Sequence, residues 1–334
     1  MLAVAALVAL GALWLIPSGH YVLLPDTGKP VDPIVMVPGE EPVPEGTDIT
    51  DGKGQPGMYY VDVLVRKATL LERLFPGIND GATLLPEEAI NPPGVSDSQR
   101  READLQDMAR SQDIAAAVAL RELGYDVEVE ATGILVDAIA ASAPATGKLR
   151  PGDLIVAVDG TKVRTTAALT DAMKAKRPGD EVRFTVRRGG SDVELRLGTR
   201  ASEQDAGRAV VGIVVSQGST MELPVKVEID AGDIGGPSAG LPFALDVLDE
   251  LGREVDRGRV IAATGALRLD GTVEPVGGIR QKTIGAIRAG ATIFLVPAGD
   301  NAAEARRYAG EMRVVPVESF QQALSALATP ASTT

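Results

Sequence analysis

The sequence predicts a mixed α+β to α/β chain: an α/β core, a small mostly-β domain and an N-terminal transmembrane helix. Three observations predict it. From 209 to 328, strand-like runs at 209–215, 224–229, 259–264 and 292–296 alternate with helical patterns at 238–251, 281–289 and 301–309, the alternation of a layered α/β fold. From about 125 to 199 short strand-like runs dominate: Val127-Glu128-Val129, Gly133-Ile134-Leu135-Val136, Val182-Arg183-Phe184-Thr185-Val186 and Val193-Glu194-Leu195-Arg196-Leu197, with one short helix after Thr165. Met1 to Ile16 holds only apolar residues and glycine.

Sixteen helical residues span roughly 24 Å against a hydrocarbon core of ~30 Å, so either the anchor runs on to Leu24, the bound taken here, or its start is clipped. A cleaved secretory signal is the rival reading, but the run has no basic start and no small-residue cleavage pattern after it. Residues 18 to 57 carry Lys29 and Lys53 against seven acids, the reverse of a cytoplasmic flank. The expected location is therefore the cell membrane, single-pass, with the body outside the cytoplasm.

Composition removes several chemistries. A net charge of −13 opposes a polyanion such as nucleic acid, whose phosphates are bound by Lys and Arg. The chain has no Cys and one His, so thiolate zinc sites, iron-sulfur clusters, thiol proteases and His-rich metal sites are excluded. No metal and no cofactor are expected. The single imidazole, His20, lies 218 residues before Ser238, beside the apolar run, and is a poor base for a Ser-His-Asp triad. No Gly-x4-Gly-Lys-Ser/Thr loop occurs, so no nucleotide-driven motor is expected.

Residues 25–57, rich in Pro, Gly and acids, read as an extended arm. Met58 to Val65 has the bias of a strand, and residues 99–123 repeat Leu105, Met108, Ala115 and Val118 at helical spacing, ending at Gly124. The domains follow as a 1–24 anchor, a 25–57 arm, a 58–124 segment, a 125–199 β domain and a 200–328 α/β domain.

Within 125–199, Ala143-Pro144-Ala145 is followed by Leu149-Arg150-Pro151-Gly152-Asp153-Leu154-Ile155-Val156-Ala157-Val158-Asp159-Gly160. This series resembles the run of a PDZ domain, with Ala143 in place of the usual Ser. The resemblance implies that an extended peptide adds a strand to an open sheet edge and that loop N–H groups hold its terminal carboxylate. It places the groove at Thr132, Gly133, Ile134 and Leu135, although Ile134 and Leu135 also fit ordinary core and the loop departs from Gly-Leu-Gly-Phe.

Gly235-Gly236-Pro237-Ser238-Ala239-Gly240 precedes a helix whose apolar stripe is Leu241, Leu245, Leu248 and Leu251, so Ser238 falls at a helix N-terminus. Unpaired N–H groups and the positive end of the dipole there can stabilise an oxyanion, and Gly235, Gly236 and Pro237 form the loop a substrate would approach. Taken alone, Ser238 is as well explained as an N-cap. Lys282 lies 44 residues on, in Gly277-Gly278-Ile279-Arg280-Gln281-Lys282, on a helix side shared with Gly285, Ala286 and Ala289. Small neighbours allow close packing, and a desolvated amine loses its charge and can take the serine proton. A surface lysine is the bland alternative.

The serine turn, the glycine-glycine-lysine turn and Ala263-Thr264-Gly265 between them resemble the proteolytic domain of the Lon family. The resemblance implies a serine endopeptidase with Ser238 as nucleophile, Lys282 as general base and acid, and Thr264 as an auxiliary group near the lysine. The whole chain is similar to membrane-anchored, PDZ-containing Lon-like serine proteases of bacteria, in which the PDZ domain is inserted in the protease fold. That arrangement assigns 58–124 to the proteolytic domain. The chain departs from ATP-driven members by lacking the ATPase module and by carrying Gly235 where an acid often stands, with Asp233 as a candidate replacement.

The expected function is ATP-independent hydrolysis of flexible or unfolded protein substrates, with the PDZ domain recognising peptides or regulating. The alternatives are a catalytically inactive membrane scaffold that binds protein tails, and a small-molecule kinase. Whether the chain forms a homo-oligomer is open.

Overall fold

The computed structural model describes residues 13–38, 53–91, 96–140, 142–202 and 205–328. They form two compact units, one of residues up to Ile90, Asp104–Asp126 and Leu223 onward, the other of Asn91–Ala103 and Val127–Glu222. The domain between 125 and 199 was expected to end at 199. The second unit instead runs to Glu222, because the strand Ile213–Glu222 pairs with Glu128–Ile139.

The first unit is built on a five-stranded sheet in the order Lys29–Pro30, Gly57–Tyr60, Val260–Ala263, Ile293–Pro297, Arg313–Val317. The last four strands are parallel. Parallel strands are covered on both faces and read as continuous apolar runs, and Ile293–Pro297 is buried at every position. Alternate residues serve two cores. Met58, Tyr60, Ile261, Ala263 and Leu295 pack with the helices Asp97–Glu122, Gly240–Glu250 and Phe320–Ala328. Tyr59, Val61, Ala262, Phe294 and Val296 pack with Ile279–Arg288 and Asp300–Tyr308.

Three expectations change. Met58 to Val65 is not one strand: Gly57–Tyr60 ends before Asp62, and Val63–Thr69 joins a separate antiparallel sheet in the order Val63–Thr69, Pro17–Pro25, Thr83–Pro86. Pro17–Pro25 is the central strand of that sheet, with Tyr21 and Val22 buried, so residues 17–24 do not prolong the apolar run as a helix. No helix among the described residues is long and apolar enough to cross a membrane, and residues 1–12 lie outside them. The arm is also partly core: Lys29–Pro30 and Val35–Met36 pair with Gly57–Tyr60 and Glu228–Ile229, and Val31, Ile34 and Val35 are buried. Residues 39–52 of it lie outside the described part.

The second unit is an antiparallel sheet in the order Ser191–Gly198, Glu181–Arg188, Leu154–Val158, Glu128–Ile139, Ile213–Glu222, with the helix Thr166–Lys174. The Gly152-Asp153 turn is explained by its ion pair. Asp153, 2% exposed, accepts from Arg188 at 2.6 and 2.7 Å and from the Arg150 N–H at 2.9 Å, which leaves neither oxygen unpaired.

In the first unit, the helix Ile279–Arg288 is seated by a backbone contact: Gly28 N–H donates to the Gly285 carbonyl at 3.0 Å. A methyl on Gly285 would stand 2.3 Å from the Asp26 carbonyl oxygen. Gly285→Ala is expected to lower stability by about 2 kcal/mol, read by urea unfolding; an unchanged midpoint would show that this helix is free to shift.

Candidate functional site

Ser238 lies in the 3-10 turn Pro237–Ala239, which leads into the helix Gly240–Glu250. Neither start has a side-chain cap, so Ser238 is not the N-cap that its position alone allowed. The turn is held from several sides. Gly236 N–H donates to the Asp104 carbonyl at 2.7 Å, Ser111 Oγ donates to the Pro237 carbonyl at 3.1 Å, and Gly265 N–H donates to the Ser238 carbonyl at 2.9 Å.

Glycine at 235 has a steric cause. A methyl there would meet the Asp104 side chain at 2.6 Å, so no acidic side chain fits without moving the helix Asp97–Glu122. Asp233 does not replace it beside the lysine: Asp233 is exposed, and the carboxylate acting on Lys282 is Asp62. Gly236, at φ +87°, takes a backbone conformation that suits glycine. Its N–H is spent on Asp104 and Pro237 has none, so Gly235 and Gly236 shape the turn more than they supply donors.

Lys282 is 4% exposed and Thr264 is fully buried. Lys282 Nζ donates to Thr264 Oγ1 at 3.1 Å, and Thr264 Oγ1 donates to the Ser238 carbonyl at 3.1 Å. The structure thus gathers Ser238, Thr264 and Lys282 around one hydroxyl. Burial pushes the Lys282 amine down to about 7 from 10.5, opposed by Asp62.

Asp62 was missed by sequence reasoning, although its interruption of the run Met58 to Val65 was visible. The parallel register Tyr60 to Ala263 brings the two strand ends side by side, with Asp62 just beyond one and Thr264 just beyond the other. Lys29 Nζ pairs with Asp62 at 3.2 Å and with Asp26 at 3.1 Å. Burial raises the Asp62 carboxyl while Lys29 pulls it back, and Asp62 Oδ1 is buried without a hydrogen bond.

In the second unit the expected groove residues are corrected. Thr132, Gly133, Ile134 and Leu135 lie on Glu128–Ile139, an inner strand of the sheet; Ile134 and Leu135 are paired on both sides, Gly133 pairs with Gly218, and Ile134 is fully buried. Where the strand is paired on both sides it has no free N–H or C=O row to offer. The sheet edge is Ile213–Glu222. Beside it lies a cavity of about 400 Å³ lined by Ile213, Val215, Leu169, Met173, Arg200 and Arg208, among others. The available signal was Gly212 between Val211 and Ile213, at φ +75°, just before an alternating strand.

An α/β domain with a buried amine bonded beside a serine turn at a helix start defines a hydrolase-like site, and the chain also carries a β domain with an open edge. Comparison with known proteins agrees. Residues 209–329 match the Lon protease (S16) C-terminal proteolytic domain, and residues 122–199 match a PDZ domain. The chain is 36% identical over 121 residues to Lon protease 1 of Sorangium cellulosum, covering 33% of this chain and 14% of that protein. It is 38% identical over 78 residues to Lon protease 2 of Herpetosiphon aurantiacus, covering 23% and 9%. A solved PDZ domain of an SdrC-like protein from Listeria monocytogenes is 25% identical, covering 25% of this chain and 87% of that one, with a TM-score of 0.24. The two family matches give the chain a region similar to the Lon proteolytic domain at 209–329 and a region similar to a PDZ domain at 122–199.

A lysine whose pKa is lowered on folding binds fewer protons folded than unfolded, so its burial costs stability most at and below pH 7, and the cost fades as pH rises toward 10.5. Lys282→Met is expected to raise the melting temperature at pH 6.5 and to lose that gain by pH 10. A gain equal at both values would show that the amine is not desolvated.

Proposed function

We propose that the chain is an ATP-independent serine endopeptidase that uses a Ser238–Lys282 dyad. The observation that carries this reading is the buried amine of Lys282, joined through Thr264 to the turn that bears Ser238. With the amine neutral near pH 7, Lys282 takes the Ser238 proton as Oγ attacks the peptide carbonyl, then returns it to the leaving amine. Water, deprotonated in turn by Lys282, attacks the acyl-enzyme carbonyl, and Lys282 returns the proton to Ser238 Oγ as the acid product leaves. Thr264 holds the amine in place. The oxyanion would be met by backbone N–H groups at the start of the helical segment that opens with Pro237–Ala239.

No Gly-x4-Gly-Lys-Ser/Thr loop occurs in the sequence, which supports flexible segments or already unfolded chains as the substrates. The cleavage of an unstructured protein without nucleotide is expected for the wild type and is expected to fall by at least 10³-fold in Ser238→Ala and in Lys282→Ala. Equal cleavage by all three would remove the assignment and leave the inactive-scaffold reading.

The PDZ unit presents protein tails or regulates the site, and its groove supports the first role. A peptide added to Ile213–Glu222 would run between that edge and the helix Thr166–Lys174, with its carboxylate toward Arg200 and Arg208. Peptide amidation and Arg208→Ala are each expected to weaken binding about tenfold by calorimetry; amidated and free peptides binding alike would contradict carboxylate capture. The apolar run Met1 to Ile16 supports a membrane-held chain with the body outside the cytoplasm.

A further inference from the structure

Solvent-facing apolar side chains are concentrated in one part of the first unit. Of the twelve large hydrophobic residues exposed among the described residues, six fall in two short runs: Trp14, Leu15 and Ile16, and Leu74, Phe75 and Ile78. Phe75 is 56% exposed and Leu74 60%. These values are large for side chains of their kind, and clustered exposure of this sort marks a contact surface.

The backbone brings the two runs to one place. Leu70 N–H donates to the Ile16 carbonyl at 2.8 Å, and Ser18 Oγ donates to the Ala68 carbonyl at 2.8 Å. Leu70 opens the short helix Leu70–Leu74. At ~1.5 Å per residue, Phe75 stands only about 7.5 Å along the chain axis from the point where Ile16 is held, within the depth of a lipid headgroup layer.

The tip Leu74-Phe75-Pro76-Gly77-Ile78 is also fixed in its outward position. Glu72, buried beneath it, accepts from Arg66 at 2.6 Å, from Asn79 at 2.7 Å and from the Thr69 N–H at 2.9 Å, closing a capping box. Arg66 holds the Glu72 carboxyl down at about 2, so this network stays charged and intact at neutral pH. The apolar tip is presented by a satisfied polar base, with Lys67 and Arg73 on its flanks.

We propose that the tip Leu74–Ile78 is a second lipid contact, entering the headgroup region of the same bilayer that holds the apolar run ending at Ile16. It would set the orientation of the proteolytic domain over the membrane surface, as an apolar wedge does beside an anchor. The proposal rests on the membrane reading of Met1 to Ile16, and the experiment separates the two.

The chain has no Cys and a single Trp, Trp14. The full chain carrying Phe75→Cys is labelled with an environment-sensitive fluorophore and reconstituted in phosphatidylcholine–phosphatidylglycerol vesicles that carry a shallow lipid-borne quencher. Glu311→Cys serves as control, next to Arg313–Val317 at the opposite edge of the five-stranded sheet from Lys29–Pro30. Lipid quenching of the probe at 75 is expected to exceed that at 311 at least threefold, with Trp14 quenched as well. Trp14 quenched while 75 matches 311 would overturn the lipid contact and leave the anchor standing. Trp14 unquenched would overturn both. A probe at 75 that is shielded in detergent only as protein concentration rises, with no quenching by lipid, would assign the tip to a second copy of the chain and overturn the proposal.

Discussion

The site depends on taking one ammonium group out of water. Lys282 can be buried because the helix that carries it meets its neighbour through Gly285, whose carbonyl accepts from Gly28 and which leaves no room for a side chain. Desolvation of an amine works against its charge and turns a common surface residue into a base near neutrality. Asp62 opposes that shift, and Lys29, paired with Asp62, tempers the opposition. The basicity of Lys282 is thus a balance between close packing and a neighbouring ion pair, both set by the arm at residues 26–30.

That arm shows where sequence reasoning stopped. Its Pro, Gly and acidic residues carry no period, so it read as an extended stalk, yet Val31 and Val35 are core and Asp26 and Lys29 act at the site. Ser238, Thr264 and Lys282 stood out as candidates because each sits in a short local pattern whose residue types have a chemical reason, and hydrogen bonds join Lys282 through Thr264 to the Ser238 carbonyl. Asp62 was not, because its role arises from the register between two parallel strands that are distant in sequence. Gly235 raised a question that the sequence could not answer. The answer is the Asp104 side chain, whose Cβ approaches too closely for any side chain at 235.

The PDZ unit illustrates the same limit. The turn at Gly152-Asp153 and the strands around it were local signals, and Arg188 completes the buried pair that no spacing rule indicates. The strand expected to carry the groove lies inside the sheet, because being an edge strand is a property of sheet order, which sequence alone leaves undetermined. Ile213–Glu222 looked like the start of the α/β domain, but it closes the PDZ sheet instead and carries the open edge. Likewise the apolar start of the chain hid a strand: Pro17–Pro25 is a central strand in which the consecutive residues Tyr21 and Val22 are both buried.

The central claim is that an uncharged Lys282 makes Ser238 reactive. It is tested most directly by the rate at which a serine-directed acylating probe labels Ser238 as pH is raised from 5 to 10. The account predicts a single rise with its half-point near pH 7, following loss of the lysine proton, and its disappearance in Lys282→Ala. Labelling of the wild type that keeps climbing to pH 10, or that survives unchanged without Lys282, would contradict it.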